Sequence, residues 1–541
     1  MAQKPKRPGR DRPATPEKAP PHTDLQPVWL LEWIMAGLAT VTAIGLVASA
    51  LPHGHGLWRD EVNSLVTASA SSPAEFWRLL EFESFPALWL IALRGWMTVA
   101  GDSDAVLRLF GACGAVALIG AMWLAARRTS SGVPVLGLAL VAVNADFLRW
   151  GSTVRAWSVG AALVIVAWIA MRELVTSSSR RSILLATIVS IAAVQTTYQN
   201  AVFIAAFAAA AAVELARSGR WRAALVPIGV AAVSGASLLP YGATLARRAA
   251  WIDVGQQPVD LASLLAKFSD GLLASGPMAS IAWSVAALAA LGLAFTRRGA
   301  PTYAGLTMVF STLGLLAFYL AFGYPTQAWY YLALTAVIAV SIDAAVADAR
   351  TTIWRVGRLS LAAVVLVTGF PQARSRVGDP FTNVDAVGRH LLTQAERGDL
   401  IVANPWYVGV SLHRYYTGEA RIIAIPPGVD ARLHRFDQVK AAMQDADPLR
   451  SAYESIESTL RAGRRVWVVG GITDAPPQIR TVLPAPPLPG TGWNSGPYEM
   501  AWTFAIGNLL RDHAIDRKNS PPFGAGGALE SVELVAFRGW R

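Results

Sequence analysis

Residues 28–64 read VWLLEWIMAGLATVTAIGLVASALPHGHGLWRDEVNS, an apolar run followed directly by a polar segment with two adjacent carboxylates. The apolar part, residues 28–50, has the roughly 20 residues that an α-helix needs to cross a bilayer core of about 30 Å. It is not closed by a small-residue cleavage motif, which favours an uncleaved first span over a signal peptide. Asp60 and Glu61 are therefore expected just beyond the end of the first membrane span.

The composition of the whole chain is that of a membrane protein. Its 541 residues are 53% hydrophobic and only 15% charged, whereas soluble proteins carry about 25% charged residues. In a soluble protein the net charge of +11 would suggest nucleic acid. Here the arginines cluster in short loops between apolar runs, which indicates membrane orientation instead. The single cysteine, Cys113, excludes an intramolecular disulfide.

About eleven apolar runs are predicted to cross the membrane. They are residues 28–50, 105–126, 133–148, 155–173, 182–198, 200–216, 223–245, 277–296, 302–322, 328–347 and 359–373. Residues 1–25 are basic and proline-rich, so they are interpreted as a disordered cytoplasmic tail. With this tail inside, every inner loop carries arginine, as the positive-inside rule requires. The C-terminus is then extracytoplasmic, and the abundance of Ala and Arg over Lys favours a bacterial plasma (inner) membrane.

One further apolar stretch, FPALWLIALRGWMTVAG at residues 85–101, is predicted not to cross. It is short for a span, and Arg94 stands near its middle, where a charge at the bilayer centre costs several kcal/mol. If it crossed, most of the later arginine clusters would lie outside. We therefore expect a re-entrant or interfacial helix on the outer face. This makes residues 51–104 one long outer loop, the predicted catalytic loop.

The composition changes again from residue 375 to the end of the chain. RGDLIVANPWYVGVSLHRYYTG at 397–418 predicts a buried strand, a turn at Asn404–Pro405 and a helix. RRVWVVGG at 464–471 and SVELVAFRGW at 531–540 predict two more strands, and neither carries a nucleotide-binding motif. The predicted fold class is thus mainly α: a polytopic membrane domain, residues 26–374, followed by an extracytoplasmic α/β domain, residues 375–541.

Asp60 and Glu61 are the candidate catalytic residues. A carboxylate near the low-dielectric boundary suits a general base acting on a hydroxyl. The pair could also hold a divalent metal, Mg or Mn, through oxygen ligands, and His53 and His55 are close enough in sequence to join such a site. The alternative is structural: an acidic helix N-terminus, with Asp60 as the N-cap.

The order of these motifs resembles the GT-C superfamily of integral-membrane glycosyltransferases, particularly its protein O-mannosyltransferase and aminoarabinose-transferase branch. The matching segments are LWRDE at 57–61, ESFPALWL at 83–90, VLRLFGA with Arg108, and STVRAWSVGAAL with Arg155 and Trp157. The order of elements covers most of the chain, while the specific motifs are confined to about 57–160. Two motifs depart from the family: Ser84–Phe85–Pro86 replaces a His-Pro-Pro or Lys-Pro-Pro run, and YPTQAWYYLAL at 324–334 lacks an Arg-Tyr pair.

The resemblance implies that a sugar moves from a polyprenyl-phosphate-linked donor to a hydroxyl at the outer face of the membrane. Asp60 would be the base, and Glu61 would support it or bind a metal. Arginine suits the leaving phosphate because its fork matches the phosphate oxygens. The candidates for the donor phosphate are Arg155 (the first choice by motif), Arg149, Arg108, Arg247 and Arg248. The candidates for sugar or acceptor contacts are Trp58, Trp157, Tyr198, Asn200, Trp329 and Tyr330. The acceptor itself, whether glycan, protein or lipid, stays open.

Two other classes of function compete with this interpretation. A transporter places ionisable residues and broken helices at mid-membrane depth, but here the span interiors are mostly apolar and no internal inverted repeat is evident. A non-catalytic scaffold would keep the fold and use the outer domain to bind a partner. The outer arginines would then only snorkel to lipid headgroups, and the aromatic residues would form an interface belt.

Overall fold

The structure of the protein is a computed structural model. It describes residues 26–51, 56–129, 132–254, 259–273, 276–296, 299–323, 326–347, 352–472, 485–487, 492–524, 527 and 529–541. The expected tail at 1–25 and the two histidines His53 and His55 lie outside these residues.

Seventeen helices form the N-terminal, membrane-spanning part of the described chain. They are α1 Gln26–Ala50, α2 Arg59–Ala68, α3 Pro73–Leu79, α4 Ala87–Ala100, α5 Asp104–Arg128, α6 Leu136–Ala142, α7 Ala145–Trp150, α8 Trp157–Thr176, α9 Arg180–Val194, α10 Asn200–Arg217, α11 Trp221–Ala236, α12 Gly242–Ala249, α13 Leu261–Leu273, α14 Pro277–Thr296, α15 Ala300–Phe322, α16 Leu332–Ala347 and α17 Thr352–Val377. Within the described ranges, nine helical segments are long and apolar enough to cross a membrane. The predicted polytopic, mainly α architecture is confirmed.

Two of the eleven predicted spans do not form such long helices. Residues 133–148 are divided between α6 and α7, because the Asn144 side chain accepts a hydrogen bond from Phe147 N at 2.8 Å and so caps a new helix. Its amide also donates to Gly271 O at 2.8 Å. The run at 182–198 yields α9, which ends at Val194 after 15 residues. Just after the end of α9, Thr196 Oγ1 donates to Ala192 O at 2.7 Å, so a polar side chain bonds the backbone at both departures.

Helix α4 is the stretch expected not to cross, and it is 14 residues long, about 21 Å at 1.5 Å per residue. Arg94, near its middle, donates Nη1 to Ala70 O at 2.7 Å and Ala68 O at 3.4 Å, both at the end of α2. Backbone carbonyl groups at and just beyond the end of α2 thus accept hydrogen bonds from Arg94, the charge that argued against a membrane-spanning helix. Helices α2 and α4 pack together as one unit.

The C-terminal part is a five-stranded mixed sheet with helices, as the fold class predicted. The strands are β1 Leu400–Asn404, β2 Arg421–Ala424, β3 Arg465–Gly470, β4 Ala514–Asn519 and β5 Leu534–Trp540, in the order β2-β1-β3-β5-β4. β1 is parallel to β2 and β3, and β5 is antiparallel to β3 and β4. The helices are α18 Val384–Gln394, α19 Val408–Tyr415, α20 Phe436–Gln444, α21 Arg450–Arg461 and α22 Gly496–His513.

The C-terminal domain rests on the loop that follows the first membrane helix. Leu57, Val62 and Leu65 from that loop share a buried cluster with Trp406 and Val410 of the C-terminal domain. Beside it, Arg414 pairs with Asp104 at 2.6 Å, and the Tyr415 hydroxyl donates to the same carboxylate at 2.8 Å. Apolar burial and partly buried polar contacts therefore hold the C-terminal domain against α2 and the start of α5.

Candidate active site

A cavity of about 550 Å³ lies between the membrane domain and the C-terminal domain. Its polar lining residues are Arg59, Asp60, Ser84, Arg248, Ser263, Lys267, Thr326, Gln327, Tyr330, Tyr407, His434, Ser495 and Glu499, and its aromatic walls also include Phe82, Trp251, Trp406 and Phe436. The cavity combines cations, carboxylates and apolar surface, as sites for small polar ligands do.

The two candidate carboxylates stand in different surroundings although they are adjacent. α2 begins at Arg59, so Asp60 and Glu61 occupy its first turn, where the helix dipole favours negative charge. The N-cap is Trp58, not Asp60 as in the structural alternative, and the Trp58 backbone N–H donates to Glu61 Oε2 at 3.2 Å. The Asp60 side chain is 24% exposed and lines the cavity, whereas that of Glu61 is completely buried.

Glu61 is fully engaged in structural contacts. Its Oε1 accepts from Arg108 Nη1 at 2.6 Å and from Val154 N at 2.8 Å, and Arg108 also donates to Gly56 O at 3.1 Å. Neither Glu61 nor Arg108 lines the cavity. The structure therefore does not support Glu61 as a second catalytic or metal-binding residue, or Arg108 as a phosphate ligand. They form a buried ion pair that fastens α2 to α5.

Arg155 lies beneath Asp60. Its Nη1 donates to Asp60 O at 2.8 Å, to Ser64 Oγ at 2.8 Å and to Glu83 Oε1 at 3.2 Å, and its Nη2 lies 3.8 Å from Asp60 Oδ2. The guanidinium, 4% exposed, also lies 4.4 Å from the centre of the Phe85 ring. Phe85 is part of the departure from the family's proline segment, so this replacement supplies a stacking surface for Arg155.

Glu83 is a buried partner that the sequence analysis did not single out. Its Oε2 accepts from Ser64 Oγ at 2.7 Å and Asn63 Nδ2 at 3.2 Å, and its Oε1 accepts from Ser84 N at 2.7 Å. Together with Arg155 these contacts satisfy a carboxylate with almost no solvent exposure. The sequence did contain a signal for this role. Glu83 directly precedes the proline segment 84–86, and a charged residue that is buried needs a partner.

His434, from the C-terminal domain, approaches Asp60 from the other side. Its Nε2 lies 3.6 Å from Asp60 Oδ1, and its backbone N–H donates to Asn63 Oδ1 at 3.0 Å. Burial lowers the pKa of His434 to about 4, helped by the charges of Arg59, Arg155 and Arg248 and opposed by Asp60. The imidazole is therefore neutral at pH 7. No sequence motif connects two residues so far apart in the chain.

Two of the cations in the cavity were not among the predicted residues. Arg59 lies 3.8 Å from Glu530 and 4.3 Å from the centre of the Tyr407 ring. Lys267 is half-exposed and lies 3.7 Å from Asp270. Their signals in the sequence are weak, because Arg59 belongs to the acidic motif and Lys267 is one of two charges, with Asp270, in an amphipathic helix.

Of the five predicted phosphate-binding arginines, Arg248 lines the cavity. It donates to Glu83 O and lies 5.7 Å from the centre of the Trp251 ring. Arg247, its neighbour, is 52% exposed and pairs with Glu81 at 2.7 Å. Arg149 packs on the Phe381 ring at 4.6 Å, away from the cavity lining. Arg155 and Arg108 serve the contacts described above.

Of the six predicted sugar-contacting residues, Tyr330 lines the cavity. Trp58 and Trp329 belong to an aromatic cluster with Trp150 and Phe381, in which the Trp150 and Trp329 ring centres are 3.8 Å apart. The four aromatic residues of this cluster are not among those that line the cavity.

The remaining three candidates for sugar contacts pack against other parts of the protein. Trp157 contacts Phe85 and Tyr330 edge to face, with ring centres 5.1 Å apart in both cases. Tyr198 meets Tyr241 edge to face at 5.6 Å. Asn200 is buried and donates to Ala193 O at 2.9 Å. These side chains shape or support the protein behind the cavity and do not line it.

Two acids of the C-terminal domain flank Arg59. Burial raises the pKa of Glu530 to about 7, opposed by the Arg59 charge and by hydrogen bonds from Ser411 and Thr382. Burial also raises the pKa of Glu499, whose Oε1 accepts from Ser495 Oγ at 3.0 Å and Trp406 Nε1 at 3.3 Å. Groups with such altered proton affinity are common at functional sites.

The candidate metal site does not fit the side chains around Asp60. Among the residues that the structure describes, no three His, Cys, Asp or Glu side chains form a group that could hold a metal ion. Asp60 and Glu61 do not converge, because both Glu61 oxygens accept hydrogen bonds inside the protein. The described part of the chain thus contains no ligand set for the predicted Mg or Mn ion, and the candidate ligands His53 and His55 lie outside it.

The chain has the GT-C fold. Among solved structures, it is similar to ArnT from Cupriavidus metallidurans bound to undecaprenyl phosphate, with 11% identity and a TM-score of 0.55 over 93% of this chain and 98% of that one. The apo state of the same ArnT aligns with 11% identity and a TM-score of 0.50, over 81% and 92% of the two chains. No protein-family model matches the sequence, and neither does any curated protein.

Proposed function

We propose that this protein is a glycosyltransferase that moves a sugar from a polyprenyl-phosphate-linked donor to a hydroxyl acceptor at the outer face of a bacterial plasma membrane. The observation that carries the proposal is the position of Asp60. It lines a cavity with cationic and aromatic walls at the junction of the two domains, in a chain with the GT-C fold. The partly exposed Asp60 carboxylate has room for a ligand hydroxyl, which Glu61 lacks.

In this proposal the hydroxyl oxygen of the acceptor attacks the anomeric carbon of the sugar. Asp60 accepts the proton of that hydroxyl during the attack. The bond between the anomeric carbon and the phosphate oxygen breaks through an oxocarbenium-like transition state, and polyprenyl phosphate leaves with the bonding electron pair. Direct displacement inverts the anomeric configuration. Arg155 positions Asp60 from below, through the backbone carbonyl of Asp60 and its side chain. Aromatic walls such as Trp251 and Tyr407 exclude water and present flat apolar surfaces to the sugar.

The donor phosphate is assigned to Arg248, with Arg59 and Lys267 as further cations. This revises the preference for Arg155, whose Nη1 donates to Asp60 O, Ser64 and Glu83 and whose Nη2 faces Asp60 Oδ2 at 3.8 Å. Arg248 lines the cavity, and its guanidinium group can donate bidentate hydrogen bonds to two phosphate oxygens. The similar ArnT structure is described as bound to undecaprenyl phosphate, which supports a lipid phosphate as the donor group.

A transporter or an inactive scaffold is less well supported. The charged residues of the cavity gather where the C-terminal domain covers the ends of the membrane helices. A scaffold would not need an exposed carboxylate bracketed by Arg155 and His434.

The test is sugar transfer by purified protein in proteoliposomes that contain radiolabelled polyprenyl-phosphate hexoses or pentoses and acceptor-bearing membrane extract. Asp60→Asn removes the base while keeping the side-chain shape, so transfer is expected to fall by at least about a hundredfold. Asp447→Asn, which changes an exposed surface carboxylate paired with Arg450, is the matched control and retains activity. Full activity of Asp60→Asn would refute the catalytic assignment.

A further inference from the structure

The surroundings of Asp60 contain a closed ring of polar contacts that joins the two domains. Arg155 Nη2 lies 3.8 Å from Asp60 Oδ2, and Arg155 Nη1 lies 3.2 Å from Glu83 Oε1. Glu83 Oε2 accepts from Asn63 Nδ2 at 3.2 Å, and Asn63 Oδ1 accepts from His434 N at 3.0 Å. His434 Nε2 then faces Asp60 Oδ1 at 3.6 Å. The two oxygens of one carboxylate thus face different domains.

His434 is held firmly in this ring. Asn63 uses its Nδ2 for Glu83 and for Phe82 O, at 3.2 and 2.9 Å, so its Oδ1 is left to accept from the His434 backbone. The His434 ring meets Trp406 and Phe436 edge to face, at 6.4 and 6.1 Å between ring centres. Backbone and ring are therefore both fixed, and the imidazole edge points at Asp60.

The proton on His434 can be assigned from the same contacts. Nε2 is buried and makes no hydrogen bond within the described residues, and it lies just beyond hydrogen-bond length from Asp60 Oδ1. An unprotonated Nε2 would present a lone pair to a carboxylate, which is repulsive, whereas Nε2–H would donate to it. A buried donor without a partner is unfavourable. A shift of a few tenths of an ångström would complete the bond to Asp60.

We propose that His434 is a positioning residue for Asp60: its neutral imidazole carries the proton on Nε2, donates it to Asp60 Oδ1, and holds the carboxylate with Oδ2 over Arg155. The C-terminal domain thereby completes the catalytic loop. This inference rests on the proposed function of Asp60. The charged groups that face His434 are Asp60, Arg59, Arg155 and Arg248, and burial keeps the imidazole uncharged among them by lowering its pKa.

The test compares two substitutions at position 434 in the full chain, with the donor sugar lipid that wild type turns over. His434→Leu removes the donor, while His434→Gln places an amide N–H near the position of Nε2. For His434→Leu we expect kcat to fall by roughly 10- to 100-fold, as for a misplaced catalytic group. KM for the donor should change little. The acid limb of the pH profile of kcat should move to higher pH, because a carboxylate that loses a hydrogen-bond donor binds protons more readily.

His434→Gln should recover most of kcat and the wild-type acid limb. His390→Leu is the control, since His390 lies on α18 with its ring against Phe523. The proposal is overturned if His434→Leu keeps the wild-type kcat and acid limb while Asp60→Asn is inactive. It is also overturned if both substitutions reduce kcat equally without moving the acid limb, since His434 would then act by packing alone. Activity of Asp60→Asn would instead contradict the proposed function.

A second measurement does not depend on turnover or on the stability of the leucine variant. Solid-state NMR of ¹⁵N-histidine-labelled protein in lipid bilayers distinguishes the two neutral tautomers of imidazole. At pH 7 we expect a neutral Nε2–H signal that disappears in His434→Gln and shifts in Asp60→Asn. An Nδ1–H tautomer or an imidazolium at position 434 would refute the proposal.

Discussion

The start of α2 and the end of α12 each carry two neighbouring residues of the same charge with opposite surroundings. At α2, Asp60 lines the cavity and Glu61 is buried against Arg108. At α12, Arg248 lines the cavity and Arg247 pairs with Glu81 at the surface. Neighbours on a helix are rotated by about 100°, so adjacent side chains point to different sides. At both places one residue of the pair reaches the cavity, and its neighbour forms an ion pair outside the cavity lining.

The sequence was sufficient to predict the polytopic, mainly α fold and three of the five strands, β1, β3 and β5. The catalytic role of Asp60 stays a prediction. Hydrophobic length and loop arginines report on membrane crossing, because each is a local consequence of the bilayer. The roles of Glu61 and Arg155 could not be predicted, because both depend on partners brought together by folding, such as Glu83. His434 was missed for the same reason. Its proximity to Asp60 exists only once the C-terminal domain packs on α2.

The largest difference is expected between substitutions of Glu61 and of Asp60, in the free energy of unfolding. Glu61→Ala leaves Arg108 buried without its partner, which costs about 3–5 kcal/mol of the free energy of unfolding. Asp60→Asn changes a partly exposed side chain with partners at 3.6–3.8 Å, and should cost under about 1 kcal/mol. Denaturant unfolding in detergent micelles, followed by tryptophan fluorescence, measures both.

A double variant shows whether the Glu61 loss comes from the unpaired charge. Glu61→Leu combined with Arg108→Leu removes both ions, and it should be more stable than Glu61→Leu alone. If Glu61→Ala unfolds like wild type but abolishes sugar transfer, Glu61 belongs to the catalytic machinery and the contrast with Asp60 fails.

The next largest difference is expected between substitutions of Arg248 and of Arg247, in the affinity for undecaprenyl phosphate. Arg248→Gln removes a cation from the cavity, and hydrogen bonds to charged groups contribute about 1.5–3 kcal/mol. We expect the affinity for undecaprenyl phosphate to fall by roughly 10- to 100-fold, measured by thermophoresis of the purified protein in detergent. Unchanged affinity in Arg248→Gln would refute the assignment of the phosphate to Arg248 and leave Arg59, Lys267 and Arg155 as the candidate cations.

The smallest effect is expected for Arg247→Gln. Its ion pair with Glu81 is exposed, and such pairs are worth about 0–1 kcal/mol, so stability and undecaprenyl phosphate affinity should each remain close to wild type. Affinity measured at low and high salt makes this a sharper comparison. One outcome is that Arg247→Gln weakens binding as much as Arg248→Gln does, and only at low salt. In that case a general positive field attracts the phosphate, because salt screens exposed charges that are more than about 10 Å apart. If only Arg248→Gln weakens binding, and does so at both salt concentrations, the position of Arg248 in the cavity determines phosphate recognition.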